Sequence, residues 1–230
     1  MTISNDSRAR IKKVFEPIAL GMGRLGLTPD ALTLIGFGIT VVGAILLGFQ
    51  MWLLGGLVVF IGGVFDLFDG TLARATGKVS NLGAFMDSVF DRAGEVIVYI
   101  GLVAGLQELG VLNGTVLAAA AMGSAVLVSY TRSKSEGLGL SAGAGMAAVG
   151  IMPREVRLVI LSLGLIVAGL FGTSPYLVDG ESGAGGAAFP PGIYVLLLAL
   201  VVITVGSTIT VVQRILHVRS QARRQSTQTH

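Results

Sequence analysis

FDLFDGTLARATGKVSNLGAFMDSVFDR, residues 65–92, gathers four aspartates, Asp66, Asp69, Asp87 and Asp91, inside a chain that is otherwise strongly apolar. An aspartate in hydrocarbon costs at least ~2.5–3.5 kcal/mol on insertion scales. Grouped carboxylates also repel one another. Four in one short stretch need a reason, and the environment on either side supplies the first part of it.

The chain has 230 residues, of which 53% are hydrophobic and 13% charged, and its mean hydropathy is +0.81. A soluble domain carries about 25% charged residues. One apolar helix crosses a bilayer with roughly 20 residues. Six runs of that kind are predicted, near 31–50, 53–73, 82–107, 112–136, 154–172 and 191–216. The expected fold is an all-α integral membrane protein, with no separate soluble domain. Residues 1–27 form a juxtamembrane segment, 28–218 the six-helix bundle and 219–230 a basic polar tail. The Gly-rich segments 137–150 and 174–191 read as loops. Glycines within the spans, such as Gly55, Gly56, Gly62 and Gly63, read as helix-packing positions.

Ahead of the bundle, Arg8, Arg10, Lys12 and Lys13 precede Phe15, Ile18, Leu20, Met22 and Leu25. This pattern predicts an amphipathic helix on the membrane surface. No signal-peptide core or cleavage site is visible in it. Thr28-Pro29-Asp30 then starts a helix, with Thr28 as N-cap. The absence of cysteine excludes disulfides, thiolate catalysis and thiolate-ligated metal. With six spans, all 16 Lys and Arg fall on one side or in the half-membrane next to it, and the opposite loops carry only Glu108, Asp179 and Glu181. The basic side is therefore expected to be cytoplasmic, with both termini on it.

Asp66 and Asp69 are three apart in the second predicted span, and Asp87 and Asp91 four apart in the third, so each pair shares a helix face. Counted at 1.5 Å per residue, all four lie roughly 6–15 Å inside the cytoplasmic end of two adjacent antiparallel helices. Carboxylates at one depth invite a divalent cation, and all-oxygen ligation favours Mg²⁺, Mn²⁺ or Ca²⁺ over zinc. Two such ions suit in-line displacement at phosphorus. Gly70, Ala73 and Gly83 leave room for a bulky ligand. Arg74 supplies a cation, and Lys78 and Ser80 sit in a polar loop able to meet a water-soluble head group. A cation-coupled transporter, using the same carboxylates as an ion path, is the alternative from another class. It would be helped by an inverted repeat, and the second half of the chain has no counterpart of the aspartate motif.

The spacing D-x2-D-G-x2-A-R-x8-G-x3-D-x3-D, carried by Asp66, Asp69, Gly70, Ala73, Arg74, Gly83, Asp87 and Asp91, resembles the signature of the CDP-alcohol phosphotransferases. The resemblance implies a reaction dependent on Mg²⁺ or Mn²⁺, with two ions expected. In it a hydroxyl attacks the lipid-side phosphorus of CDP-diacylglycerol and CMP leaves. It implies that Asp66, Asp69, Asp87 and Asp91 hold metal, and that Asp91 also takes the acceptor's proton. It places the CDP moiety against Asp30, Thr33, Asp66, Asp69, Gly70, Ala73, Arg74, Ser80 and Gly83. Only His217 and His230 are present, so direct displacement is expected rather than a phosphohistidine intermediate. Family members are usually homodimers in the prokaryotic cytoplasmic membrane, with an active site open to the cytoplasm. No nucleic-acid partner is expected.

The acceptor has to be sought among the basic helix ends. Arg154 and Arg157, three apart at the start of the fifth span, share a face near free helix N–H groups. Arg132, Lys134 and Arg214 end spans on the same side. Arg132 and Lys134 are two apart and point differently, so at most one contributes. A pocket of cations favours a phosphorylated polyol. The stretches MDSVFDR, SYTRSKSEGLG and PREVR resemble the branch that makes phosphatidylinositol phosphate, or its archaeal counterpart. The expected acceptor is therefore inositol phosphate. Glycerol phosphate is the alternative, although Ser88-Val89-Phe90-Asp91-Arg92 departs from the DP-x-A-D-K form usual in phosphatidylglycerophosphate synthases.

Overall fold

The computed structural model describes residues 16–140, 146, 149–171 and 189–228, which include seven helices and no strand. Residues 16–24 form α1. The others are α2 (Pro29–Gly48), α3 (Trp52–Thr76), α4 (Asn81–Glu108), α5 (Leu112–Gly137), α6 (Arg154–Leu170) and α7 (Pro191–Gln228). Arg8, Arg10, Lys12, Lys13, Phe15, Asp179, Glu181 and His230 lie outside the described residues, as do half of the Gly-rich segment 137–150 and most of 174–191.

The helix limits follow from local chemistry. At α2, Thr28 Oγ1 accepts from Ala31 N at 3.2 Å and Pro29 opens the helix. The α3 helix stops at Gly77, whose φ of 68° is open to glycine without strain, and Lys78 N donates back to Ala73 O at 2.9 Å. Ser80 caps α4 by accepting from Gly83 N at 2.9 Å. The predicted spans and these helices agree to within a few residues, except in α7. There the helix continues to Gln228, through much of the segment expected to be a polar tail. Residues 215–228 contain neither glycine nor proline, and Leu, Gln, Arg and Ala sustain a helix in water as well as in lipid.

Among the described residues, four helical stretches are long and apolar enough to cross a membrane: Pro29–Gly48, Trp52–Thr76, Leu112–Gly137 and Pro191–Arg223. The α4 helix carries Asp87, Asp91, Arg92, Glu95 and Glu108 along its length, and α6 has only 17 residues.

The six long helices form a ring in which each packs mainly on two others. Going round, α2 touches α3, α3 touches α6, α6 touches α7, α7 touches α5, α5 touches α4, and α4 returns to α2. Consecutive α3 and α4 scarcely meet, because α2 packs closely on both. That close approach needs glycine. At Gly101 of α4 a Cβ would collide with the carbonyl oxygen of Ala44 on α2. The main core joins Leu47, Trp52, Val59, Tyr99, Leu102, Leu165 and Leu200 in the half remote from the aspartates. A smaller cluster of Ala19, Leu32, Phe68 and Leu72 fastens α1 to α2 and α3 at the aspartate end. Ile18 and Leu25 of the α1 region remain exposed. One end of the ring is thus solidly packed, and the acidic end is left with room for a ligand.

Candidate active site

Asp66 and Asp69 project from α3, and Asp87 and Asp91 from α4, into the gap that α3 and α4 leave between them. The expectation of two directly neighbouring helices is corrected by this gap, which side chains from α2 and α6 bridge. From α2, Thr33 Oγ1 donates to Asp69 Oδ2 at 2.6 Å, and both residues are buried. The other oxygen of Asp69 accepts from Gly70 N. From α6, Arg154 Nη2 lies 2.7 Å from Asp66 Oδ2 and its Nη1 lies 2.8 Å from Asp91 Oδ1. One guanidinium therefore joins a carboxylate of α3 to a carboxylate of α4. Gly36 on α2 makes space for the first of these, since a Cβ there would sit 3.1 Å from Asp66 Oδ1 and 3.3 Å from Phe65 Cβ.

Two cavities meet at Asp87. One, of about 690 Å³, is lined by Asp30, Thr33, Asp69, Gly70, Ala73 and Arg74, with Lys78, Ser80 and Gly83 along its edge. Every residue expected to border the nucleotide lies on it except Asp66. Glycine leaves room along it. A Cβ at Gly70 would stand 3.2 Å from Arg74 Nη1, and one at Gly83 would stand 3.0 Å from Ser80 Oγ and 3.4 Å from Asp30 Oδ1. Ser80 also has a second task as the N-cap of α4. The other cavity, of about 1020 Å³, is lined by Asp87, Asp91, Arg92, Arg132 and Glu136. Arg92 Nη1 donates to Ser88 O at 2.7 Å and lies 3.7 Å from Asp91 Oδ2.

The basic residues expected to bind the acceptor are not all gathered there. Arg132 faces the second cavity and pairs with Glu136 at 3.0 Å. Lys134 faces a separate cleft beside Tyr130 and Leu138. Arg157 is fully buried and grips Glu95 with two nitrogens, at 2.8 and 2.9 Å, while its third donates to Met152 O at 3.0 Å. Arg214 donates to Val149 O at 3.0 Å and to Val128 O, tying α7 to α5 and to the segment before α6. Arg157 and Arg214 are thus engaged in holding helices together. The sequence reading does not single out Glu95 or Gly36. The signal for Glu95 is its place four residues after Asp91, matching Arg157 three residues after Arg154, so that two acid–base rungs fall one turn apart.

The donor set suits a hard divalent cation in kind, since all four side chains offer carboxylate oxygens. Asp66 and Asp91 are already arranged about a positive charge, that of Arg154. Among the described residues no three carboxylates or histidines are drawn together closely enough to hold an ion.

The chain matches the family described as CDP-alcohol phosphatidyltransferase over residues 26–218. It is 37% identical over 164 residues to the archaetidylinositol phosphate synthase of Pyrococcus horikoshii, covering 71% of this chain and 80% of that protein. It is 34% identical over 223 residues to the phosphatidylinositol phosphate synthase of Streptomyces avermitilis, covering 94% and 82%. The crystal structure of phosphatidylinositol phosphate synthase from Mycobacterium tuberculosis with CDP-DAG bound superposes with a TM-score of 0.69 at 28% identity, over 90% of this chain and 94% of that one. The same enzyme in complex with manganese and citrate also superposes with a TM-score of 0.69 at 28% identity, over 89% and 88%.

Proposed function

We propose that this chain, which belongs to the CDP-alcohol phosphatidyltransferase family, transfers the phosphatidyl group of CDP-diacylglycerol to a hydroxyl of inositol phosphate. CMP is released and phosphatidylinositol phosphate stays in the membrane. The observation that carries this reading is the meeting of two cavities at Asp87. One is a groove bordered by the residues of the motif expected to meet the nucleotide, and the other is a larger, partly basic space beside Asp91.

The nucleotide end of the donor lies in the groove. Gly70 and Gly83 admit it to the backbone, while Arg74 and Lys78 offset the charge of its phosphates. Thr33 holds the Asp69 carboxylate in one orientation. The acceptor enters the second cavity with its phosphate toward Arg132 and its hydroxyl toward Asp91. In the transfer, the hydroxyl oxygen forms the new P–O bond, and the bond from phosphorus to the CMP oxygen breaks. The hydroxyl proton passes to the Asp91 carboxylate, and the electron pair leaves with CMP. Asp66, Asp69, Asp87 and Asp91 are the residues that would hold Mg²⁺ or Mn²⁺, two ions in this reading, which would supply Lewis-acid polarisation of the phosphoryl group and offset charge on the leaving group.

All six long helices span the bilayer, α4 burying its acidic turns around the site and α6 crossing with its 17 residues next to α3 and α7. The aspartate end faces the cytoplasm, a reading that the distribution of Lys and Arg supports. The α1 helix lies on the surface, and the lipid-facing helix sides pair in a homodimer. The test is CMP release by purified protein given CDP-diacylglycerol, Mg²⁺ or Mn²⁺, and one acceptor at a time. Inositol phosphate is expected to support release that EDTA abolishes. Release with glycerol phosphate alone would move the assignment to that acceptor, and release with none would refute the reading.

A further inference from the structure

We propose that the gap between α3 and α4 continues beneath the aspartates as a hydrated recess, in which water joins the Tyr99 hydroxyl to the Glu95 carboxylate. This goes beyond the transfer reaction and holds whatever the acceptor is.

Polar residues step down α4 four positions at a time, as Asp87, Asp91, Glu95 and Tyr99. At 1.5 Å per residue the stripe runs about 18 Å, from the motif into the packed half of the ring. Only its first two members belong to the motif. The other two line a cavity of about 430 Å³, together with Thr40 of α2, Val59 of α3, and Arg157 and Leu161 of α6. The α4 and α6 helices scarcely meet by direct packing. Across the interval between them reaches the buried Arg157–Glu95 pair.

Tyr99 is the anomaly in this lining. It is 1% exposed, and its hydroxyl has no hydrogen-bond partner among the described residues. A buried hydroxyl left without a partner is costly, and native interiors seldom tolerate one. The hydroxyl lies within electrostatic reach of both Glu95 and Arg157, so it is directed to the charged wall of the cavity. That wall has bonding capacity to spare. Each oxygen of Glu95 accepts once from Arg157 and keeps a second lone pair, and each terminal nitrogen of Arg157 carries a second N–H. Thr40 Oγ1 donates to Gly36 O at 3.0 Å and can still accept. Donors and acceptors thus surround a space larger than the roughly 30 Å³ that one water fills in the liquid, which is what a buried water needs. An apolar occupant would leave both Tyr99 and Glu95 unsatisfied. Water here also supplies the solvation that an ion pair otherwise lacks inside a membrane domain.

The first measurement is on the wild type in micelles. Hydroxyl radicals are generated from water by a short X-ray pulse, and oxidation is read peptide by peptide with mass spectrometry. Such radicals act close to where they form, so a buried ring is oxidised when water lies against it. Tyr99 should be oxidised, while Trp52, also 1% exposed but set in the packed core, should not be. Absence of label on Tyr99, or equal labelling of Trp52, would overturn the recess. The second measurement is the unfolding equilibrium of Tyr99→Phe, which removes one oxygen and keeps the ring. Loss of a hydrogen bond to water should raise the unfolding constant by about two- to tenfold. A dry, unpaired hydroxyl gives the opposite sign, because its removal relieves the folded state. Equal or greater stability of Tyr99→Phe therefore overturns the proposal. In a Glu95→Gln background the effect should shrink, since the water has then lost its charged acceptor, and an undiminished effect would overturn the bridge to Glu95. Should a variant fail to fold, oxidation of Tyr99 in the wild type decides the matter.

Discussion

Arg157→Met would leave the Glu95 carboxylate enclosed without its partner. The pair is bidentate at 2.8 and 2.9 Å, with side chains only 1% and 13% exposed, so little water can take over the lost contacts. Breaking a buried pair from one side costs about 3–5 kcal/mol, because the survivor keeps its desolvation penalty. Coulomb's law at an effective dielectric of 20 gives about 4 kcal/mol at 4 Å, in agreement. Replacing both partners by apolar residues removes both penalties. The double variant Arg157→Met with Glu95→Leu should therefore be more stable than either single one. The assay is unfolding of the purified protein in mixed micelles, followed by circular dichroism, over the full double-mutant cycle. An interaction energy of about 2 kcal/mol or more is expected, against an average of about 0.6 kcal/mol for hydrogen bonds between membrane helices. Additive single effects would refute the role given to this pair in fixing α6 against α4.

Asp91→Asn should keep the helix content and lose CMP release, and turnover near that of wild type would remove Asp91 from the proton transfer. Thr33→Val deletes the hydroxyl on buried Asp69. A hydrogen bond to a charged group is worth about 1.5–3 kcal/mol, so kcat/KM for CDP-diacylglycerol should fall by about tenfold or more, and an unchanged value would show that Asp69 orients without help. Gly36→Ala presses a methyl group to 3.1 Å from Asp66 Oδ1. Activity should drop while stability falls by no more than about 1–3 kcal/mol, and full activity would place the Asp66 carboxylate outside the reaction.

Much of the scaffold was legible because membrane helices announce themselves through length and polarity. Thr28 and Pro29 marked the start of α2 by local chemistry alone, and the spacing of Asp66, Asp69, Asp87 and Asp91 placed each pair on one face. The lining of the cavity beside Asp69 was legible in part, since Gly70 follows Asp69 directly and Ala73 and Arg74 lie about one turn further along the same helix. Contacts between distant elements were another matter. The partners of Arg154 lie 88 and 63 positions earlier in the chain, at Asp66 and Asp91, and nothing in either segment specifies that α6 reaches across a gap between α3 and α4. Arg157 and Arg214 carry the charge of a phosphate pocket in the sequence. In the folded protein those donors are committed to Glu95 and to carbonyls, because a buried guanidinium has to satisfy its N–H groups. The extra helical turns of α7 were hidden for a simpler reason. The hydropathy of its residues drops beyond 216, and their helix propensity does not.

The central claim is phosphatidyl transfer to an acceptor that keeps its own phosphate, and mass spectrometry of the lipid product tests it most directly. Purified protein would be given CDP-diacylglycerol, inositol phosphate and Mn²⁺, with CMP quantified in parallel. The account predicts a lipid with two phosphates and one inositol, formed in equal amount to CMP. A lipid lacking the second phosphate, or CMP formed with no new lipid, would contradict it.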